Sequence, residues 1–156
     1  MNYKKAIKYF KKLRKYIKSH YKCKVYLVGS LKRNKQDAND IDILITSKKK
    51  DILTKIKLPH CREIDNGKMR KKFKSKHCKI DLFYANPKDL PFALLHHIGN
   101  KYFNIRTRAH AKKQGYLLNQ YGLFKNGKKI KHKFKSERAI LRFLGITYKT
   151  PSKRED

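Results

Sequence analysis

Three aspartates stand where a folding chain least tolerates them. Val25 to Val28 is a short apolar run closing on Gly29-Ser30, Ile41-Asp-Ile-Leu-Ile45 is a second run, and Ile80-Asp81-Leu82-Phe83-Tyr84 is a third. Each has the length and β-branched or aromatic composition of a buried strand. Side chains alternate faces along a strand, so Asp40 and Asp42 leave from one side and Ile41 and Ile43 from the other. Two anions on one face need a cation. If the third strand lies beside the second, Asp81 completes a cluster of three carboxylates. Oxygen-rich clusters of this kind suit Mg²⁺, which keeps an octahedral shell shared with water and substrate phosphates. Two Mg²⁺ ions, or Mn²⁺ in their place, held roughly 3.5–4 Å apart stabilise both the attacking and the leaving oxygen of an in-line phosphoryl displacement. A third Asp near the attacking hydroxyl could accept its proton.

Gly29-Ser30 fits the same chemistry. A turn after a buried strand exposes backbone N–H groups, glycine lets a triphosphate approach closely, and Ser30 and Arg33 can donate hydrogen bonds to it. A lone Gly-Ser, or a lone Asp-x-Asp, is better read as a tight turn followed by surface carboxylates. Both at this separation, with a third Asp in an apolar strand, are better read as a site for metal-dependent nucleotidyl transfer.

Charge narrows the partner. Forty-three Lys and Arg stand against 11 Asp and Glu, a formal net charge of +32 over 156 residues. That excess is far beyond what solubility needs and predicts polyanion binding. Lysine supplies 34 of the 43 cations. Its ammonium is a point charge rather than the guanidinium fork that reads bases, so the binding expected is independent of sequence. Apolar residues are interleaved from end to end, so the lysines coat a folded body. No stretch approaches the ~20 apolar residues of a membrane span, and Met1-Asn-Tyr-Lys-Lys lacks a signal-peptide core. The expectation is a soluble intracellular monomer with no membrane partner. Cys23, Cys61 and Cys78 follow no metal-binding spacing and are expected as free thiols, although two thiols within disulfide reach would form a redox pair.

Tyr3, Ile7, Phe10, Leu13 and Ile17 recur at helical steps, predicting an amphipathic helix over 3–18. Strands are expected at 25–29 and 41–46, a short helix at 51–57, and a hairpin of strands 61–65 and 68–74 turning at Asn66-Gly67 before the strand that carries Asp81. Asn86-Pro87 and Leu90-Pro91 mark a boundary, giving a catalytic unit 1–88 and a smaller unit 89–156. The second holds helices over 92–98 and 101–113, the latter closed by Gly115, a strand-like run 116–124, a turn at Asn126-Gly127, a return over 129–134, and a helix capped by Ser136 and running through Leu144. The tail from Thr150 reads as loose. The fold class is α+β.

The second unit carries the most specific stretch, Gly99-Asn-Lys-Tyr-Phe-Asn-Ile-Arg-Thr-Arg-Ala-His-Ala-Lys-Lys-Gln-Gly115, followed by Asn119-Gln-Tyr-Gly-Leu-Phe124. With the Gly-Ser turn, the Asp-x-Asp pair and the later strand Asp in order, this resembles the X family of DNA polymerases, and in particular its compact viral type, over roughly residues 25 to 150. The resemblance implies a nucleotidyltransferase palm with a mixed sheet and flanking helices, followed by a thumb-like subdomain. It implies a template-directed polymerase that fills short gaps in DNA during repair, takes dNTPs and gapped or primer-template DNA, and has low fidelity. A viral member would work in the host cytoplasm or the virion.

By the same resemblance Asp40 and Asp42 bind both metals, while Asp81 binds the catalytic one and approaches the primer 3′-hydroxyl. Gly29, Ser30, Arg33 and Gly99 hold the triphosphate end, His96 meets the sugar, Asn104 meets the base or sugar edge of the incoming nucleotide, Arg108 faces the template or nascent pair, and Lys79 faces the primer. Asn104 and Arg108 lie four apart and so share a helix face. Three positions depart from the pattern: His96-His97 replaces a common Tyr-Phe, Asn34 a common Gly, and Lys79 a common Arg. Two other readings compete: a template-independent nucleotidyltransferase acting on RNA ends or small molecules, and a non-catalytic basic nucleic-acid-binding protein. The Phe103-to-Ala111 helix favours the polymerase over the first. Three carboxylates in strands, which would weaken a mere phosphate binder, argue against the second.

Overall fold

The computed structural model describes residues 1–37 and 39–154. Helix α1 (Tyr3–His20) opens the chain, its first turn capped by the Asn2 side chain, which accepts from the Lys5 amide. It leads into β1 (Lys24–Val28), the one-turn helix α2 (Gly29–Lys32), β2 (Asp40–Thr46) and the short α3 (Ile52–Lys55). The hairpin β3 (Cys61–Asn66) and β4 (Arg70–Ser75) follows, then β5 (Lys79–Ala85). These strands form one sheet in the order β1-β2-β5-β4-β3, with β2 and β5 parallel and every other pair antiparallel.

Strand parity divides the sheet chemically. Ile41, Ile43 and Ile45 of β2, with Ile80, Leu82 and Tyr84 of β5, point to one face and are buried beneath α1 and α3. Helix α1 contributes Ala6, Phe10, Leu13 and Ile17, all buried. Each large side chain in that stripe stabilises the fold by about 1.5–3 kcal/mol through removal from water. The opposite parity puts Asp40, Asp42 and Leu44, and Asp81, Phe83 and Ala85, on the second face.

That second face is covered in part by α4 (Leu90–Ile98). Its sequence, Leu-Pro-Phe-Ala-Leu-Leu-His-His-Ile, has no lysine in a lysine-rich chain, because both sides of the helix are packed. Ala93 and Ile98 join Val28, Leu44 and Ala85 against the sheet, while Phe92 and Leu95 enter a separate core. That core draws Phe103 and Ala111 from α5 (Lys101–Lys113), Leu118 from β6 (Leu117–Asn119), Leu123 from β7 (Gly122–Lys125), and Ile140 and Leu141 from α6 (Glu137–Phe143). A two-residue strand β8 (Lys128–Lys129) completes the small β6-β7-β8 sheet.

Most of the expected elements are present, with three corrections. The run 116–124 is two strands turning at Gln120-Tyr121, and the return after Asn126-Gly127 is paired only at Lys128–Lys129. The helix expected over 51–57 is a single turn, Ile52–Lys55. The tail after Thr150 is not loose: Pro151–Lys153 forms a 3₁₀ turn and Arg154 is fully buried. Its guanidinium donates to Glu137 Oε1 at 2.7 Å and to the Lys149 carbonyl at 2.8 Å, between the rings of Phe103 and Tyr148. The three cysteines are free thiols. Among the described residues no helix is long and apolar enough to cross a membrane.

Candidate active site

The parallel β2–β5 register sets Asp42 directly beside Asp81, and Asp40 beside Lys79. The same row runs on through Lys72 of β4 to Asp65 of β3, so a lysine stands between Asp81 and a further carboxylate. Asp81 is 5 % exposed. Its Oδ2 lies 3.4 Å from the Arg70 guanidinium, and its Oδ1 is buried with no hydrogen-bond partner. Burial above all, then the charges of Asp81 and Asp40, push the Asp42 carboxyl up to about 7, against the opposing pull of Arg70 and Arg33. Such a shift marks an anion held out of water without enough positive charge beside it.

The Gly29 turn is built around this cluster. Its φ of +73° favours glycine, and a Cβ there would run into the Asp42 carboxylate, 2.9 Å from its Cβ and closer still to Oδ2. Gly29 therefore begins α2 directly against Asp42, with Ser30 next in the same turn. Arg33, at the end of α2, donates through Nη1 to the Ile98 carbonyl. A Cβ on Gly99, whose φ is also +73°, would stand 3.1 Å from that same Nη1. The Arg33 guanidinium thus ties the end of α2 to the Ile98–Gly99 turn. Asn34 has φ +63°, which explains how a glycine-favoured position carries an asparagine, a residue that tolerates the left-handed region.

The helical side of the cleft is a second network. Arg108 Nη2 donates to His96 Nδ1 at 2.7 Å, and Asn104 Nδ2 donates to the His96 carbonyl at 2.8 Å. With Nδ1 accepting, the neutral imidazole carries its proton on Nε2. Burial and then the Arg108 charge lower the His96 pKa. His97 stacks on Phe83 with ring centroids 4.5 Å apart, and burial followed by His96 lowers its pKa to about 4. Because Phe83 lies two residues beyond Asp81 on the same face, this stack ties α4 to the strand that carries Asp81.

The structure brings Asp42 and Asp81 together, places Asp40 one step along the same face, and joins His96, Asn104 and Arg108. Lys79 is exposed at the Asp40 end of the sheet, with its amide donating to the Asn39 carbonyl at 3.3 Å. Among the described residues, no three His, Cys, Asp or Glu side chains already converge on one point for a metal ion; Asp81 is turned toward Arg70. Sequence reasoning missed Arg70, which also lies over the Phe83 ring at 5.4 Å. One more arginine in this chain carries no signal until the β4–β5 register sets it opposite Phe83. It also missed Lys71, which is fully buried and donates to the Ile56 carbonyl at 2.5 Å beside Glu63. Its signal was available: on an alternating strand, Lys71 shares the inward parity of Phe73 and Ser75.

A glycine turn over paired strand aspartates, in this mixed sheet, defines a nucleotidyltransferase. The nucleotidyltransferase domain family matches residues 10–89 and the DNA polymerase beta thumb family matches residues 93–155. Repair DNA polymerase X of African swine fever virus is 37% identical over 141 residues, covering 83% of this chain and 80% of the relative. Human DNA-directed DNA/RNA polymerase mu is 38% identical over 77 residues, 49% of this chain and 16% of that protein. The crystal structure of Leishmania infantum polymerase beta in a ternary P/T complex matches all of this chain and 77% of that one, with a TM-score of 0.83 at 20% identity. The chain belongs to the X family of DNA polymerases, a family dependent on divalent metal.

Proposed function

We propose that this polymerase fills short gaps in DNA during repair, transferring a nucleotidyl group from a dNTP to a primer 3′-hydroxyl with template direction and low fidelity. The observation that carries this reading is the Asp42–Asp81 pair in parallel register, with one buried carboxylate oxygen unpartnered and one carboxyl driven to about 7. A hard divalent cation answers both features. Asp40, Asp42 and Asp81 would hold two Mg²⁺ or Mn²⁺ ions, which supply charge neutralisation at the phosphates and at the attacking oxygen.

The chain's own groups do the rest. The 3′-oxygen attacks the α-phosphorus, pyrophosphate leaves, and Asp81 takes the hydroxyl proton. Arg70 holds Asp81 Oδ2 in the resting arrangement and must release it before both oxygens can serve. Gly29, Ser30, Arg33 and Gly99 receive the triphosphate. His96 offers Nε2–H to the sugar or phosphate, Asn104 retains a free acceptor for the nucleotide edge, Arg108 positions the nascent pair, and Lys79 contacts the primer. Residues 1–88 act as the catalytic unit and 89–156 as the nucleotide- and template-binding unit. The enzyme works as a monomer, in the host cytoplasm or the virion of a virus.

Primer extension with gapped, nicked and template-free DNA side by side tests the proposal. Templated insertion strongest on the gapped substrate supports it; equal extension without template would make the chain a terminal nucleotidyltransferase, and no extension would leave a binding protein.

A further inference from the structure

The segment Lys129-Ile-Lys-His-Lys-Phe-Lys135 is a strict alternation that the polymerase chemistry does not use. Lys129, Lys131, Lys133 and Lys135 are exposed, whereas Phe134 is buried and Ile130 packs on the same core. His132 turns its ring to Phe134 at 4.7 Å and to Phe143 at 6.4 Å. The apolar and aromatic members anchor the segment, so the lysines are presented together as a comb. Four lysines within seven residues make a dense local array of positive charge.

The comb borders a groove of about 870 Å³ whose other wall is Pro87, Lys88 and Leu90. Lys129 is neutralised by Asp89, Nζ to Oδ1 at 2.7 Å. Among the described residues Lys131, Lys133, Lys135 and Lys88 have no acidic partner. The groove lies at the Leu90 end of α4, whereas His96 and Gly99 lie at the other end. At 1.5 Å per residue that is about 12 Å away, roughly three to four nucleotide steps of a duplex strand. A DNA strand of several nucleotides has the length to span that distance.

We infer that this groove is a second DNA contact, outside the reaction cleft, which takes the sugar–phosphate backbone of a duplex arm several nucleotides from the site of incorporation. The inference rests on the polymerase reading for its DNA, but its chemistry is its own: ammonium groups without an acidic partner, clustered on an anchored segment, facing a polyanion with one charge per about 3.4 Å of each strand. Point charges on a comb grip phosphates without reading bases, so the groove adds affinity and no sequence preference.

The test is a salt titration of DNA binding by anisotropy, with the triple variant Lys131→Gln, Lys133→Gln, Lys135→Gln beside wild type. A second variant, Lys48→Gln, Lys49→Gln, Lys50→Gln, removes the same charge from an exposed turn elsewhere. Each is measured on a gapped duplex with long arms and on one trimmed to the few base pairs that fill the cleft. The expected result is a log–log slope shallower by nearly 3 on the long DNA for the comb variant only, at about 0.9 for each phosphate no longer neutralised. Its slope on the trimmed DNA and its single-turnover insertion rate at saturating DNA stay at wild-type values. An unchanged slope on long DNA, an equal loss on both DNAs, or an equal loss in the control variant overturns the inference. Wild-type insertion is scored in the same series: if the wild type binds DNA but never inserts a nucleotide, the polymerase reading fails by itself, whatever the comb does.

Discussion

The two sides of the cleft respond to burial in opposite senses. On the strands, burial and neighbouring carboxylates push Asp42 up to about 7. On the helices, burial and neighbouring cationic or titratable groups push His97 down to about 4 and lower His96 as well. Desolvation penalises charge in both places. The sense differs because the charged form is the deprotonated one for a carboxyl and the protonated one for an imidazole. The helical network also contains its partners: Arg108 and Asn104 satisfy His96, and Phe83 stacks on His97. The strand cluster does not. It holds an unpartnered Asp81 oxygen and borrows Arg70 for the other. One side is complete as folded, and the other is left short of positive charge.

The largest effects should follow from breaking the incomplete side. Asp42→Asn and Asp81→Asn should each lower single-nucleotide insertion on the order of 1,000-fold or more, with DNA affinity unchanged or higher, because the missing carboxylate repels phosphate but holds metal. Near-wild-type insertion by either variant in Mg²⁺ would remove that residue from the metal site.

Gly29→Ala comes next. The new Cβ collides with the Asp42 carboxylate and occupies a left-handed backbone, so the turn and the aspartate both move. A displacement of about 1 Å at a reacting centre costs on the order of 100-fold in turnover. The loss should appear in kcat and in apparent Mg²⁺ affinity together; a loss confined to dNTP KM would show that the turn holds only the triphosphate.

Disrupting the complete side should act mainly on selectivity. Arg108→Ala should cost about tenfold in insertion efficiency and change the ratio of correct to mismatched insertion, since positioning rather than chemistry is lost. His96→Ala should raise the apparent KM for dNTP a few-fold with kcat nearly intact. Gap-filling kinetics with all four dNTPs opposite one template base check both. Arg108→Ala should also let the His96 imidazole titrate nearer its ordinary value, visible by NMR, because one of the two causes lowering it is gone.

A separate effect, read in stability rather than in insertion, is its pH dependence. A carboxyl at about 7 in the folded state and 3.8 otherwise keeps its proton when folded, so this contribution is fully present below about 4 and is lost as pH rises to about 7. The depressed His97 works the other way, costing stability as pH falls below about 6.5 toward 4. In EDTA, Asp42→Asn should therefore be more stable than wild type at pH 8, by on the order of 2–4 kcal/mol, with the gap smaller at pH 5 and closed below about 4. Chemical denaturation at the two pH values measures it, and added Mg²⁺ should narrow the difference at pH 8 by stabilising wild type. Equal stability of the two proteins at pH 8 would mean the Asp42 charge is already compensated.

Much of the strand side was legible beforehand. Alternation in Asp40-Ile41-Asp42-Ile43 and Ile80-Asp81-Leu82 fixes which side chains share a face, because the two-residue period of a strand is a property of the backbone and needs no tertiary information. The helical stripe of α1, the Asn-Gly turn at 66–67 and the Ser136 cap were legible for the same reason: each is a local rule satisfied by neighbours in sequence. The alternation of Lys129 to Lys135 is equally local. What only the tertiary structure decided are the pairings made across the chain. The parallel β2–β5 register puts Asp42 beside Asp81, the β4–β5 register brings Arg70 to Asp81 and Phe83, and Arg33 reaches Ile98 over 65 residues. Lys71 and Arg154 are buried because specific carbonyls and carboxylates meet them inside. A lysine or arginine is placed by the partners that the fold gathers around it, and in a chain with 43 such residues local parity hints at Lys71 while nothing local marks out Arg70 or Arg154.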